Sequence, residues 1–290
     1  MESRWVTKIL ASQHADGYWE TPDRFYTAKY RGTVWQLMIL AELGADKDDP
    51  RIRNACEFIL QSAQEHESGG FSIRGGKKGG VRSGVIPCLT GNMLWSLFRF
   101  GYYDHPGARR AIDWITTYQR FDDGIDNPPT GWPYDQWEIC WGRHTCHMGV
   151  VKNLKALAEI PSAKRTKALR DTLERGAEFM LQHHVHKRSH NLNRVSKPGW
   201  LRFGFPLMYQ TDVLEILGIL TSLGYRDDRM MEAIDLLISK QDRRGRWKLE
   251  NSYNGRFHVN IEQKGNASKW ITLNALKVLK SFTVCHGEAA

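Results

Sequence analysis

The densest run of metal-binding and proton-transferring side chains is Cys140-Trp141-Gly142-Arg143-His144-Thr145-Cys146-His147-Met148-Gly149. A further cysteine, Cys88, stands 58 residues before Cys146, in Pro87-Cys88-Leu89-Thr90-Gly91. Thiolate sulfur and imidazole nitrogen are donors that zinc prefers, and a catalytic zinc keeps three protein ligands and one open position. Cys88, Cys146 and His147 supply such a set. An ion there would lower the pKa of a bound water or thiol and give a nucleophile at neutral pH. Cys140 and His144 are substitutes for a ligand, and His144 is alternatively a base or a group that orients a ligand. The plain alternative is that a cysteine at a helix start is a small buried residue.

Other groups could complete a site. Asp212, in Tyr209-Gln210-Thr211-Asp212, precedes an apolar run, so it is either a helix cap or a proton acceptor. The loop Arg74-Gly75-Gly76-Lys77-Lys78-Gly79-Gly80-Val81-Arg82 combines glycines with four cations, as a loop that receives a phosphate, diphosphate or carboxylate would; a mobile surface loop fits equally. Trp132, Tyr134, Trp137, Trp141, Trp200, Phe203, Phe205 and Tyr209 cluster before apolar helices, where aromatic walls would suit an apolar or cationic group. Trp95 and Trp114 read as core, as does Cys56, and Cys285 lies in the tail. His183-His184-Val185-His186 reads as a solvated loop.

The elements that position these groups repeat. Ala55, Phe58-Ile59-Leu60, Gln64 and Gly69-Gly70-Phe71 match Ala233, Leu236-Leu237-Ile238, Gln241 and Gly245-Arg246-Trp247. Copies follow Ala111 and Ala177, and the chain starts inside a copy at Ile9-Leu10, Gln13, Gly17 and Trp19. The four alanines are 56, 66 and 56 residues apart, the length of a helical hairpin with its loops. After each copy comes a second, more apolar segment: Val34 to Leu43, Leu89 to Phe100, Met148 to Leu157, Val213 to Leu223, and Ile271 to Leu279. Their i, i+3, i+4 spacing predicts helices, three of which stop at Gly44, Gly101 and Gly224. About five hairpins, each with an outer and a more buried inner helix, predict an all-α chain arranged as an α/α toroid in one domain spanning 1–290. Cys88 then opens the second inner helix and Cys146-His147 the third.

The unit Gln-x-x-x-Gly-x-Trp, seen at Gln13 to Trp19 and at Gln241 to Trp247, resembles the repeat of squalene-hopene cyclases and of protein prenyltransferase β subunits. That resemblance implies a terpenoid cyclase-like toroid with its active site near Tyr30, Cys88, Cys146, Asp212 and Lys269. Class II cyclases of this group protonate an alkene with Asp-x-Asp-Asp. The nearest match here, Asp122-Asp123-Gly124-Ile125-Asp126, falls in a repeat turn rather than on an inner helix. The Cys88, Cys146 and His147 pattern is in turn similar to lanthionine synthetase cyclases, a toroid family in which such residues hold zinc.

Composition narrows the classes. Forty-one per cent apolar residues over 290 positions support a large core, and five cysteines are too few and too odd in number for a disulfide framework. The charged start Met1-Glu2-Ser3-Arg4 does not read as a secretion signal, so a cytoplasmic location is expected. The net charge of +9 is gathered in short stretches that fit an anionic substrate or solvated faces. The expectation is a zinc-dependent hydrolase or transferase taking a small-molecule or peptide substrate with apolar and anionic parts at Arg74, Lys77, Lys78, Arg82, Trp132, Trp141, Tyr209 and Lys269. Zinc is held by Cys88, Cys146 and His147, with Asp212 and His144 as acid–base groups. The alternatives are a metal-free isoprenoid cyclase or transferase, and a non-catalytic helical-repeat module binding a peptide or, less in keeping with the sequence, nucleic acid.

Overall fold

The repeat reads directly onto the structure, a computed structural model that describes residues 3–283. Outer and inner helices alternate: α1 (Arg4–Leu10) with α2 (Thr33–Leu43), α3 (Pro50–Ser62) with α4 (Pro87–Arg99), and α5 (Pro106–Tyr118) with α7 (His147–Ala158). Between α5 and α7 lies the short α6 (Glu138–Trp141). Then come α8 (Lys167–Gln182), α9 (Val213–Ser222), α10 (Met231–Ser239) and α11 (Lys269–Thr283). Among the described residues sheet is confined to three antiparallel two-stranded pieces, β1 (Gly75–Gly76) with β2 (Gly79–Gly80), β3 (Lys187–Arg188) with β4 (Asn191–Val195), and β5 (Trp247–Lys248) with β6 (Ala267–Ser268). No helix among the described residues is long and apolar enough to cross a membrane.

The described residues fall into two compact units, one comprising residues 3–172 with 253–261, the other 173–252 with 262–283. In the first, α2, α4 and α7 pack side by side in that order, with α3 against α2 and α5 against α4. In the second, α9 packs on α11 and α10 on α9. Tyr253 belongs to the first unit, its ring 4.4 Å from that of Tyr30.

Among the inner helices α2, α4, α7 and α9 are buried almost all round, α4 at every position from Pro87 to Leu97, whereas α11 buries only Ile271, Ala275 and Val278 and leaves Leu273 and Leu276 exposed. The outer ones bury a stripe, such as Ala108, Ala111, Trp114 and Ile115 on α5. All four aligned alanines are fully buried, which explains why the repeat keeps a small residue there. The repeat glutamine is a tie. Gln13 Nε2 donates to the carbonyls of Gly17 and Arg51, and Gln64 Nε2 to those of Gly69 and Gly107, so each turn is fastened to the start of the next outer helix. The closing aromatic donates its backbone N–H to a threonine hydroxyl early in the inner helix, Trp19 to Thr33, Phe71 to Thr90 and Trp247 to Thr272. Gly17 is required in its turn because φ is +86° and a Cβ there would meet the Asn54 carbonyl oxygen at 2.3 Å.

The stretch from His183 to His186 departs from the expected solvated loop. The chain folds back onto the end of α8, with Val185 N–H donating to the Met180 carbonyl and with His184 and Val185 at positive φ. His183 and His186 are thereby buried, 1% and 2% exposed, and His183 Nδ1 lies 2.7 Å from the Phe179 carbonyl oxygen. Cys285 lies outside the described residues.

Candidate active site

Two glycines bring the starts of α4 and α7 together. A Cβ on Gly91 of α4 would lie 2.4 Å from the Lys152 carbonyl carbon of α7, and one on Gly149 of α7 would lie 2.8 Å from the Pro87 ring. Only hydrogen at both positions permits this approach. It sets Cys88, the second residue of α4, beside Cys146, the N-cap of α7. Cys146 makes no capping hydrogen bond with its side chain. Its thiol instead shares a hydrogen bond with the thiol of Cys140 on α6, and both sulfurs are close enough to Cys88 to act on it electrostatically. Three thiols thus gather where two inner helices begin, with His147 next along the chain and its Nε2 buried.

Burial governs the protonation of this cluster. The Cys88 thiol is pushed up to about 12, first by burial and then by Cys146, while Lys152 and two backbone N–H groups pull the other way. Cys140 is also raised, chiefly by its hydrogen bond with Cys146 and then by burial. The favourable field of a helix N-terminus is outweighed by desolvation. Without a cation both remain thiols at neutral pH, which makes them poor free nucleophiles. The donor chemistry fits zinc, whose charge would displace the protons. Among the described residues, no three of Cys88, Cys140, Cys146 and His147 bring their ligand atoms within 4.8 Å of one another.

The acidic motif faces the same segment. Asp123 and His144 pair as a β-bridge, and Ile125 N–H donates to the Arg143 carbonyl. His144 Nδ1 lies 2.6 Å from Asp123 Oδ1 and its side chain is 53% exposed. Asp122 accepts from the Thr145 hydroxyl and from buried Arg120, and Asp126 pairs with Arg143. The three carboxylates of the motif are therefore engaged by arginines, an imidazole or a hydroxyl in a turn, as the repeat register predicts.

The other candidates separate. In the first unit, Gly75 and Gly80 serve close packing: Cβ atoms there would meet the Ser62 and Ala63 carbonyl oxygens. The N–H groups of Gly80 and Val81 are spent on the Gln64 and Arg74 carbonyls, so they do not form an anion cradle. Lys77 and Lys78 are exposed at the hairpin tip. Arg74 donates to the Ser83 hydroxyl, and Arg82 pairs with Glu67 and stacks 4.3 Å from the Trp132 ring centre. Trp132 is half-buried, whereas Trp141 is core, edge-on to Trp114 and Tyr134.

In the second unit, Asp212 caps α9. Its Oδ1 accepts from Glu215 N–H and its Oδ2 from Gly204 N–H, both at 2.9 Å, and the residue is almost wholly buried. The cap role expected of it is what this geometry displays. Tyr209 is half-buried three residues earlier, and Lys269 opens α11 with its amine 5.2 Å from the Trp270 ring centre. Sequence reasoning missed Lys152, fully buried on α7 beside Cys88; a lysine directly after the apolar Val150-Val151 pair was the available signal.

No family model matches the chain, and no curated relative does. Solved structures do. A protein from Actinoplanes matches with a TM-score of 0.50 at 15% identity, over 95% of this chain and 72% of that one. A variant of the type II terpene cyclase MstE from Scytonema, in complex with its substrate geranylgeranyl dihydroxybenzoate, matches with a TM-score of 0.50 at 16% identity, over 96% of this chain and 71% of that one. The chain has a terpenoid cyclase-like fold.

Proposed function

We propose that this chain is a zinc-dependent enzyme acting on a small molecule that has an apolar chain and an anionic group. The observation that carries the reading is the meeting of Cys88 and Cys146 at the tightly crossed starts of α4 and α7. Cys88, Cys146 and His147 would hold the ion, which would supply a water or thiol activated as a nucleophile at neutral pH. His144, whose Nδ1 lies 2.6 Å from Asp123 Oδ1, would be the proton acceptor. Asp212, committed to its cap, takes no part. Arg74, Arg82 and the exposed Lys77 and Lys78 offer charge to the anionic group, and the half-buried Trp132 an apolar face.

The fold neighbour suggests the substrate class, since a geranylgeranyl dihydroxybenzoate joins a prenyl chain to a carboxylate. The same likeness supports a second reading, a metal-free isoprenoid cyclase. Against it stands the engagement of Asp122, Asp123 and Asp126, which leaves no acid of that motif waiting to protonate an alkene. Turnover of prenylated hydroxybenzoates that stops on chelation and returns with zinc supports the first reading. Turnover that survives chelation and is abolished in Asp123→Asn but not in Cys88→Ala overturns it in favour of the second.

A further inference from the structure

We infer that α11 of one copy of this chain docks on α10 of a second copy, so that the protein self-associates through these two helices. In the repeat register α11 is the fifth inner helix, yet it lacks the cover that the other four have. It buries only Ile271, Ala275 and Val278, while Leu273 and Leu276 are 45% and 49% exposed. Beside that apolar pair stand Lys269, Lys277 and Lys280, all exposed, and no residue of α11 is acidic. Lys269, Leu273, Leu276 and Lys280 follow i, i+4, i+7, i+11 spacing and so share one side of the helix.

The complement is on α10. Ala233, Ile234 and Leu237 are buried there, whereas Met231 and Ile238 are 43% and 49% exposed. These two stand at i and i+7, with Asp235 between them at i+4 and Glu232 next to Met231, and no residue of α10 is basic. One helix thus offers an apolar pair flanked by cations, the other an apolar pair flanked by carboxylates. Glu232 is shared with Lys187, whereas Asp235, Lys277 and Lys280 have no ion-pair partner among the described residues. Both helices pack on α9 and both faces stay exposed, so neither covers the other within one chain. The net charge of +9 holds copies apart elsewhere, which makes this one acidic-to-basic pairing selective.

Sedimentation velocity of the full chain tests this. One helix against one helix falls at the small, transient end of specific interfaces, so the wild type should pass from monomer to larger species near about 100 µM. Leu276→Glu breaks the α11 face and Ile238→Lys the α10 face; each alone should stay monomeric. Mixing the two variants is the deciding arm. Each keeps the face that the other has lost, so the mixture should regain the association that neither shows by itself. Circular dichroism checks that both variants fold, and Leu273→Ser and Asp235→Asn are milder changes on the same faces that should weaken association severalfold. A wild type that is monomeric up to about 500 µM overturns the inference. So does association that survives both variants, or a mixture that remains monomeric.

Discussion

Replacing Gly91 with alanine tests how the site is assembled without touching a ligand. The added Cβ would lie 2.4 Å from the Lys152 carbonyl carbon, 2.5 Å from its oxygen and 2.6 Å from Asn153 N, all backbone atoms of α7 that cannot rotate aside. Ordinary contact begins near 3.4 Å, so α4 and α7 must part locally by about 1 Å. Overpacking costs about 1–3 kcal/mol. Alanine in place of a mid-helix glycine returns about 1 kcal/mol. The net loss is about 0–2 kcal/mol, or up to roughly 8 °C in melting temperature for a unit of this size. The effect on metal binding should be larger in proportion, because metal–ligand distances tolerate only about ±0.2 Å. Differential scanning fluorimetry and zinc competition against a chromogenic chelator give the two readouts. Gly199→Ala, where a Cβ meets nothing within 4 Å, is the control. A Gly91→Ala protein that melts within about 1 °C of wild type and holds zinc equally well would refute the claim that this helix crossing sets the thiols.

Three further outcomes follow from the geometry. Gln64→Ala should destabilise the first unit by about 1–3 kcal/mol in urea unfolding, because it removes the donor to the buried Gly69 carbonyl and the tie to Gly107, whereas replacing exposed Gln182 should change little. Asp212→Ala should cost about 2–3 kcal/mol through loss of the cap and of the Gly204 N–H partner. Asp212→Asn should recover part of that stability and retain turnover, and loss of turnover by a fully stable Asn variant would make Asp212 a reacting group instead. Burial holds the His186 imidazole below its ordinary value, against the weaker opposite pull of Glu232. The unfolded chain then takes up a proton first as pH falls, so this contribution is intact above about pH 6.5 and is lost below it. His186→Gln should flatten the stability–pH curve just below about pH 6.5 by at most about 1.4 kcal/mol per pH unit, and an unchanged slope would count against it.

Much of the fold was legible because a helical hairpin leaves marks at fixed places. The five second segments match α2, α4, α7, α9 and α11 to within two residues at their starts, and Gly44, Gly101 and Gly224 end helices at positive φ. The glutamine, turn glycine and closing aromatic each perform one repeated hydrogen bond, so their spacing survives where the intervening residues drift. The placement of Cys88 and Cys146 at inner-helix starts followed from that register. What the register could not convey lies outside it. Cys140 and Arg120 lie in the long connection between α5 and α7, whose path is set by tertiary ties such as Trp137 to Ser83 rather than by periodicity. His183 and His186 look like a polar loop in one dimension, and only the fold-back at the end of α8 buries them. The glycines of the Lys77 loop suggested phosphate, but close packing on the end of α3 accounts for Gly75 and Gly80.

The most direct test is a crystal of zinc-loaded protein measured on both sides of the zinc absorption edge. An anomalous peak about 2.3 Å from the Sγ atoms of both Cys88 and Cys146 is the predicted result. No peak between them, with the two sulfurs more than about 6 Å apart, is beyond the reach of one ion and would contradict the proposed chemistry.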